Sequence, residues 1–253
     1  MTPFDSQGRV DHGVLGAYVQ AMIETGVDGI TCLASTCEGA YLTEGERFAV
    51  AETVGRVAAG KVGVNVGIGA LSTRQAIGFA RQAAAAGASS GILEMQTYFP
   101  VSFDAAYKHY AAVAESVDLP IRLYNIPSAT RFDFTPELLA RMSSIAAIDS
   151  IKESSGDSRR IRDIVSLCGD RFSVFCGFHF IALDGFRLGA RGWEAALHPI
   201  IAKPCVELYR AMAVERDWQK AEALYAALEP LFLFFRYYGV PQSIKAMSVW
   251  SGI

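Results

Sequence analysis

No run of apolar residues in this chain reaches the roughly 18 to 20 that a spanning helix needs, and the N-terminus lacks the charged-then-apolar pattern of a secretory signal. The expectation is a cytoplasmic protein with no membrane partner. A surplus of charge is missing as well. The formal net charge is −3 over 253 residues, which gives no electrostatic reason to expect nucleic acid as a partner and leaves a small neutral or acidic metabolite as the more natural ligand. The five cysteines, Cys32, Cys37, Cys168, Cys176 and Cys205, show no CxxC-type spacing. An odd and scattered set argues against a disulfide framework and a structural zinc site alike. A dinucleotide fingerprint is also absent, since Gly67-Ile68-Gly69 is the nearest approach to GxGxxG and is explained by turns. Neither a cofactor nor a metal is expected.

What the chain does have is alternation. Apolar positions at helical spacing from 11 to 26 predict a helix, and the short β-rich run 29–34 predicts a strand. Thr43 with Glu46 three residues later forms a capping box for a helix to about residue 59. The unit then repeats, with strands at 62–67, 91–96, 120–125, 147–152, 172–176 and 192–197. The helices between them fall at 72–86, 103–117, 135–143, 157–168 and 178–188. Seven strands alternating with helices, undivided by any linker, imply one α/β domain with a parallel sheet. The expected fold is a TIM (β/α)8 barrel over residues 1–198. Its first strand would lie before Met1, and Thr2-Pro3-Phe4 and the turn after it read as the end of a strand. Residues 199–253 read as helices only, at 200–214, 217–238 and 240–251, and are expected to form a helical segment packed on the barrel.

In a parallel barrel the loops at the carboxyl ends of the strands converge, so those ends are where a site is sought. They offer Ser35-Thr36-Cys37-Glu38, Gly67-Ile68-Gly69, Gln96-Thr97-Tyr98, Tyr124-Asn125-Ile126-Pro127, Lys152-Glu153, Gly177-Phe178-His179 and Leu197-His198. A lysine ordinarily sits on a solvated face. Lys152 instead closes an apolar strand and opens into Ser-Ser-Gly-Asp, which places an amine at the carboxyl edge of the sheet. A neutral amine among hydroxyls and few cations is what imine chemistry requires, and burial favours the neutral form. Tyr124 or Tyr98 is a candidate phenol to move the protons of carbinolamine formation and dehydration. The Ser35-Thr36 turn can offer hydroxyl and backbone N–H donors to a carboxylate beside the ketone.

These motifs together resemble the dihydrodipicolinate synthase and N-acetylneuraminate lyase family of class I, imine-forming aldolases and lyases. The resemblance is carried by Thr2-Pro3-Phe4, by Ser35-Thr36-Cys37-Glu38 with Leu42 and Glu46-Arg47, by Tyr124-Asn125-Ile126-Pro127 and by Ile151-Lys152-Glu153-Ser154-Ser155-Gly156-Asp157. It implies a homo-oligomer, a dimer of dimers, acting on pyruvate or another 2-keto acid. Lys152 would form the imine and Tyr124 would exchange protons. Ser35 would link Tyr124 to a Tyr98 supplied by a neighbouring subunit, Thr36 would hold the keto-acid carboxylate, and Gly177 and Glu194 complete the candidate substrate-binding positions.

The chain also departs from that family. Ala34 and Cys37 replace the two glycines of the first turn, and Ala129 stands where true dihydrodipicolinate synthases carry an arginine, with Arg131 two residues on. Trp193, Glu194 and His198 replace small or aliphatic residues of the last strand, and Glu194 is expected either to act on the substrate or to pair with Arg191 or another cation. Three alternatives follow: a true 4-hydroxy-tetrahydrodipicolinate synthase, a metal-dependent aldolase using His179, His198 and Glu194, and a barrel that binds a keto acid without turnover.

Overall fold

The structure, a computed structural model, describes residues 1–251. Its strands are β1 (Gly29–Cys32), β2 (Gly63–Gly67), β3 (Ser90–Glu94), β4 (Ile121–Asn125), β5 (Ile148–Glu153), β6 (Ser173–Cys176) and β7 (Gly192–Trp193). Its helices are α1 (His12–Glu24), α2 (Glu44–Ala58), α3 (Thr73–Ala85), α4 (Phe103–Glu115), α5 (Pro127–Thr130), α6 (Pro136–Met142), α7 (Arg159–Cys168), α8 (Ala182–Arg187), α9 (Pro199–Arg210), α10 (Trp218–Tyr238) and α11 (Val240–Ser251). The strands follow one another in sequence order from β1 to β7, with parallel pairing between β1 and β2 and from β3 through β7. Consecutive order without a reversal is the topology of a (β/α) barrel and not of a doubly wound sheet. The fold is therefore of the TIM-barrel class with a C-terminal helical extension, and seven strands lie among the described residues. Of the helical segment expected at 199–253, residues 252 and 253 lie outside those described.

Three features differ from the sequence reading. Residues Phe4 and Val10 form an isolated antiparallel bridge around a turn, so the N-terminal residues pair with themselves. β7 is two residues long where six were expected, and the ladder beyond it continues only as the Glu194 N–H donating to Cys176 O. The four-residue helix α5 was not foreseen. It starts at Pro127, a residue preorganised for a first helical position, and stops at Arg131, whose φ of 57° no helix can continue.

The chain divides into two compact units, each with its own core. The first comprises residues 1–67, 86–88 and the segment from Ala196 onward. There α1 starts because the Asp11 side chain accepts from Val14 N, and α2 starts on the capping box of Thr43 and Glu46. Tyr18 and Met22 of α1 meet Ala202 of α9 in the core, and the Tyr18 hydroxyl donates to Leu197 O at 2.6 Å. The buried Arg47 guanidinium fastens the strand ends by donating to Gly39 O at 2.5 Å and Gly67 O at 2.6 Å. Both glycines face the Leu33 peptide so closely that a Cβ at either would overlap the Leu33 carbonyl.

The second unit comprises residues 68–85 and 89–195. Every residue of β3 is buried, as expected of a strand covered on both faces. Ile92, Leu93, Ile121, Leu123, Ile148 and Ile151 fill the sheet interior. Among the described residues no helix is long and apolar enough to cross a membrane.

Candidate active site

Side chains two residues apart on a strand point the same way, so on β4 Arg122 and Tyr124 share one face while Leu123 and Asn125 share the other. Register carries the pattern across the sheet. Arg122 lies opposite Ser150, Tyr124 opposite Lys152 and Asn125 opposite Glu153, and on the next strand Lys152 lies opposite Phe175 and Glu153 opposite Cys176. The consecutive residues Lys152 and Glu153 therefore serve two different environments.

On the helix-covered face Glu153 is fully buried. Its carboxylate accepts from Asn125 Nδ2 at 2.8 Å and from Ser155 N at 2.5 Å. Asn125 also donates to Asp133 at 3.1 Å and accepts from Phe134 N at 3.0 Å, and Arg160 of α7 holds both oxygens of Asp133 at 2.9 and 3.0 Å. Burial pushes the Glu153 carboxyl above its usual range, opposed by the hydrogen bonds from Asn125 and Ser155 and by the Arg160 charge. The network separates the members of the two pairs: Tyr124 and Lys152 share one face, while Asn125 and Glu153 tie the loop after β4 to the end of β5. Both Glu153 oxygens face donors, so Glu153→Gln is expected to turn an amide N–H against one of them. The cost should be about 1–3 kcal/mol of stability, readable in chemical denaturation.

On the opposite face Lys152 is 8% exposed. Its Nζ lies 4.4 Å from the centroid of the Tyr124 ring and 3.6 Å from Glu194 Oε1. Glu194 stands one residue beyond β7, where its N–H donates to Cys176 O at 2.9 Å and so prolongs the ladder. Its other oxygen, Oε2, accepts from Arg122 at 2.6 Å. The Arg122 guanidinium lies 3.7 Å from the centroid of the Phe175 ring and donates to Ser150 Oγ at 3.3 Å. Glu194 thus meets Arg122 and Lys152, while Arg191 pairs with Asp170. Arg122 was missed in the sequence reading, although its place two residues before Tyr124 was a usable signal.

Gly177 follows β6, and a Cβ there would overlap the hydroxyl of Ser154 and come within 3.1 Å of Lys152 Cγ. The Ser154 hydroxyl is itself buried and without a hydrogen-bond partner among the described residues. Burial pushes the thiol of Cys176, which lies opposite Glu153, up to about 12. Tyr98 lies on the segment after β3, 87% exposed, with its ring edge-on to Phe99.

Ser35 and Thr36 belong to the other unit, in a short 3-10 turn that runs to Cys37 directly after β1. Cys37 turns its side chain inward, with Sγ 3.5 Å from Thr31 O, and its carbonyl accepts from the Thr2 hydroxyl at 2.6 Å. That inward turn is how the fold accommodates a Cβ at this position. Arg131 is exposed in the left-handed position that ends α5. Of the two histidines considered as metal ligands, buried His179 sets its ring edge-on to Trp193, and His198 caps α9 by accepting from Ile200 N. Among the described residues no group of three or more His, Cys, Asp or Glu side chains is placed to hold a metal ion.

Known proteins are similar to this chain in sequence and fold. A family model for the dihydrodipicolinate synthetase family matches residues 1–253. The 4-hydroxy-tetrahydrodipicolinate synthase of Methylococcus capsulatus is 34% identical over 230 residues, which are 91% of this chain and 79% of that protein. The crystal structure of dihydrodipicolinate synthase from Agrobacterium tumefaciens superposes with a TM-score of 0.93 at 31% identity, covering 100% of this chain and 86% of that one. The chloride-inhibited dihydrodipicolinate synthase of Acinetobacter baumannii, solved in complex with pyruvate, superposes with a TM-score of 0.91 at 29% identity, over 96% of this chain and 84% of that one. The chain belongs to the dihydrodipicolinate synthetase family and is an enzyme of the class I aldolase and lyase type.

Proposed function

We propose that this enzyme forms an imine between Lys152 and the carbonyl carbon of pyruvate or a related 2-keto acid, and makes or breaks a carbon–carbon bond at the adjacent carbon. The observation that carries the reading is the buried amine of Lys152 against the ring of Tyr124, on neighbouring strands in direct register. The pyruvate held by the Acinetobacter baumannii relative supports the keto acid. In this reading Tyr124 exchanges the protons of carbinolamine formation and dehydration, and Ser35 links it to Tyr98. Thr36 receives the keto-acid carboxylate, and Gly177 leaves open the space beside Lys152. An 87% exposed tyrosine on a loop suits delivery to a neighbouring subunit, and the proposed enzyme is a cytoplasmic homotetramer. Residues 1–198 would supply the barrel and 199–253 its helical extension. Ala129 offers no cation to the carboxylate of a second substrate, and Arg131 lies exposed beyond α5. A true 4-hydroxy-tetrahydrodipicolinate synthase is therefore not favoured over the general reading.

Borohydride reduction in the presence of pyruvate tests the mechanism. The expected result is an irreversible, pyruvate-derived mass increase located on Lys152 by peptide mass spectrometry. A Lys152 left unmodified with every member of a 2-keto acid panel would sink the reading.

A further inference from the structure

The imine reading gives Lys152 a nucleophile's role but leaves unexplained the paired charges beside it. Arg122 and Glu194 bury a guanidinium and a carboxylate with side chains 13% and 10% exposed, joined at 2.6 Å. Such a pair is no stabiliser by default, since apolar residues of similar volume often do as well. Its geometry points to the amine: Arg122 takes Oε2 of Glu194, and Oε1 is left facing Lys152 Nζ at 3.6 Å. Resting on the imine reading, we propose that Glu194, fixed in place by Arg122, is a further catalytic residue, the built-in counter-ion of the Lys152 iminium.

The atoms of the step show why a fixed carboxylate suits it. Lys152 ammonium and a keto acid give the protonated imine and one water. The C–N bond forms and the carbonyl C–O bond breaks, the oxygen leaves with two of the ammonium protons, and nitrogen keeps the third proton and a single positive charge. Nitrogen is cationic before and after, and neutral only in the amine and carbinolamine between. A carboxylate held by Arg122 meets both cations without reorganising. The iminium is also the electron sink when the bond at the adjacent carbon breaks, and its charge must persist until then. Arg122 prevents the same carboxylate from locking Lys152 as an ammonium, because Oε2 is already committed. Among the described residues, this face of the row carries Glu94 of β3, Arg122 and Tyr124 of β4, Lys152 of β5 and Glu194 as charged or titratable groups, and β6 contributes the uncharged Ser173 and Phe175.

Two readouts test the role, the rate of deuterium exchange at the pyruvate methyl group followed by NMR and the pH dependence of borohydride trapping. Glu194→Gln is expected to slow exchange at least tenfold and to move the onset of trapping to lower pH, because the ammonium loses its counter-charge. Arg122→Leu should move that onset to higher pH. The apolar double variant Arg122→Leu/Glu194→Leu removes the whole ion pair, leaving beside it only Lys152, which can shed its proton, and should exchange as slowly as Glu194→Gln, which keeps the test valid if a single variant folds poorly. Parental exchange and an unshifted trapping profile in Glu194→Gln or in the double variant would overturn the role while leaving the imine intact. Absence of any adduct in the parent enzyme would overturn the imine reading and this role with it.

Discussion

Replacing Lys152 with alanine is expected to reduce kcat/KM with the best keto-acid substrate by on the order of 10⁵- to 10⁶-fold, the scale seen when a covalent nucleophile is removed. The fold should survive. Lys152 is an end-of-strand side chain whose backbone pairing with Tyr124 and Phe175 does not depend on its amine, and Glu194 keeps Arg122 when Lys152 is gone. A stability change of about 1–2 kcal/mol is anticipated, so circular dichroism and thermal melting should show a folded, inactive protein. Lys152→Arg separates charge from nucleophilicity. A guanidinium retains the attraction to Glu194 but is never deprotonated in a protein and so cannot attack a carbonyl. Arginine should therefore be as inactive as alanine in the steady-state assay. Substantial activity in either variant would remove Lys152 from the centre of the mechanism.

The parts of this molecule that could be read beforehand are those where one residue type serves one periodicity. The strand–helix alternation, the capping box at Thr43 and Glu46, and the strand ends at Tyr124 and Lys152 all belong to this class, because apolar spacing or side-chain hydrogen bonding near the chain dictates them. The helix α5 escaped because four residues carry no periodicity. The shortness of β7 escaped because nothing local in 192–197 opposes a strand. Arg122 and Glu194 are 72 positions apart and join only through a β4–β7 relation spanning three strand pairings. The sequence alone draws no attention to Arg122, and it offers Glu194 as a candidate substrate-binding position with the nearby Arg191 as its natural partner. The same holds for Glu153, whose value as a tie between β5 and the loop after β4 depends on Asn125 lying directly opposite.

Tyr124→Phe is the second substitution for which a large effect is expected. Phenylalanine preserves the ring that Lys152 Nζ faces at 4.4 Å from its centroid, and so preserves the packing and the cation–π contact that help to orient the amine. What disappears is the hydroxyl. Imine formation moves two protons from nitrogen to the departing oxygen, and a nearby phenol that accepts and returns one of them lowers the barrier by the factor typical of general acid–base catalysis, about 10²- to 10⁴-fold. The loss should fall on kcat more than on KM, since the keto acid's carboxylate is assigned to Thr36 and not to the phenol. Borohydride should still trap the imine at Lys152, only more slowly, because attack and dehydration remain possible through water. Slow trapping with an intact adduct would distinguish a lost proton shuttle from a lost binding site. Equal trapping rates in the parent and the variant would instead mean that the protons travel by another route, and would leave Tyr124 as a packing partner for the amine.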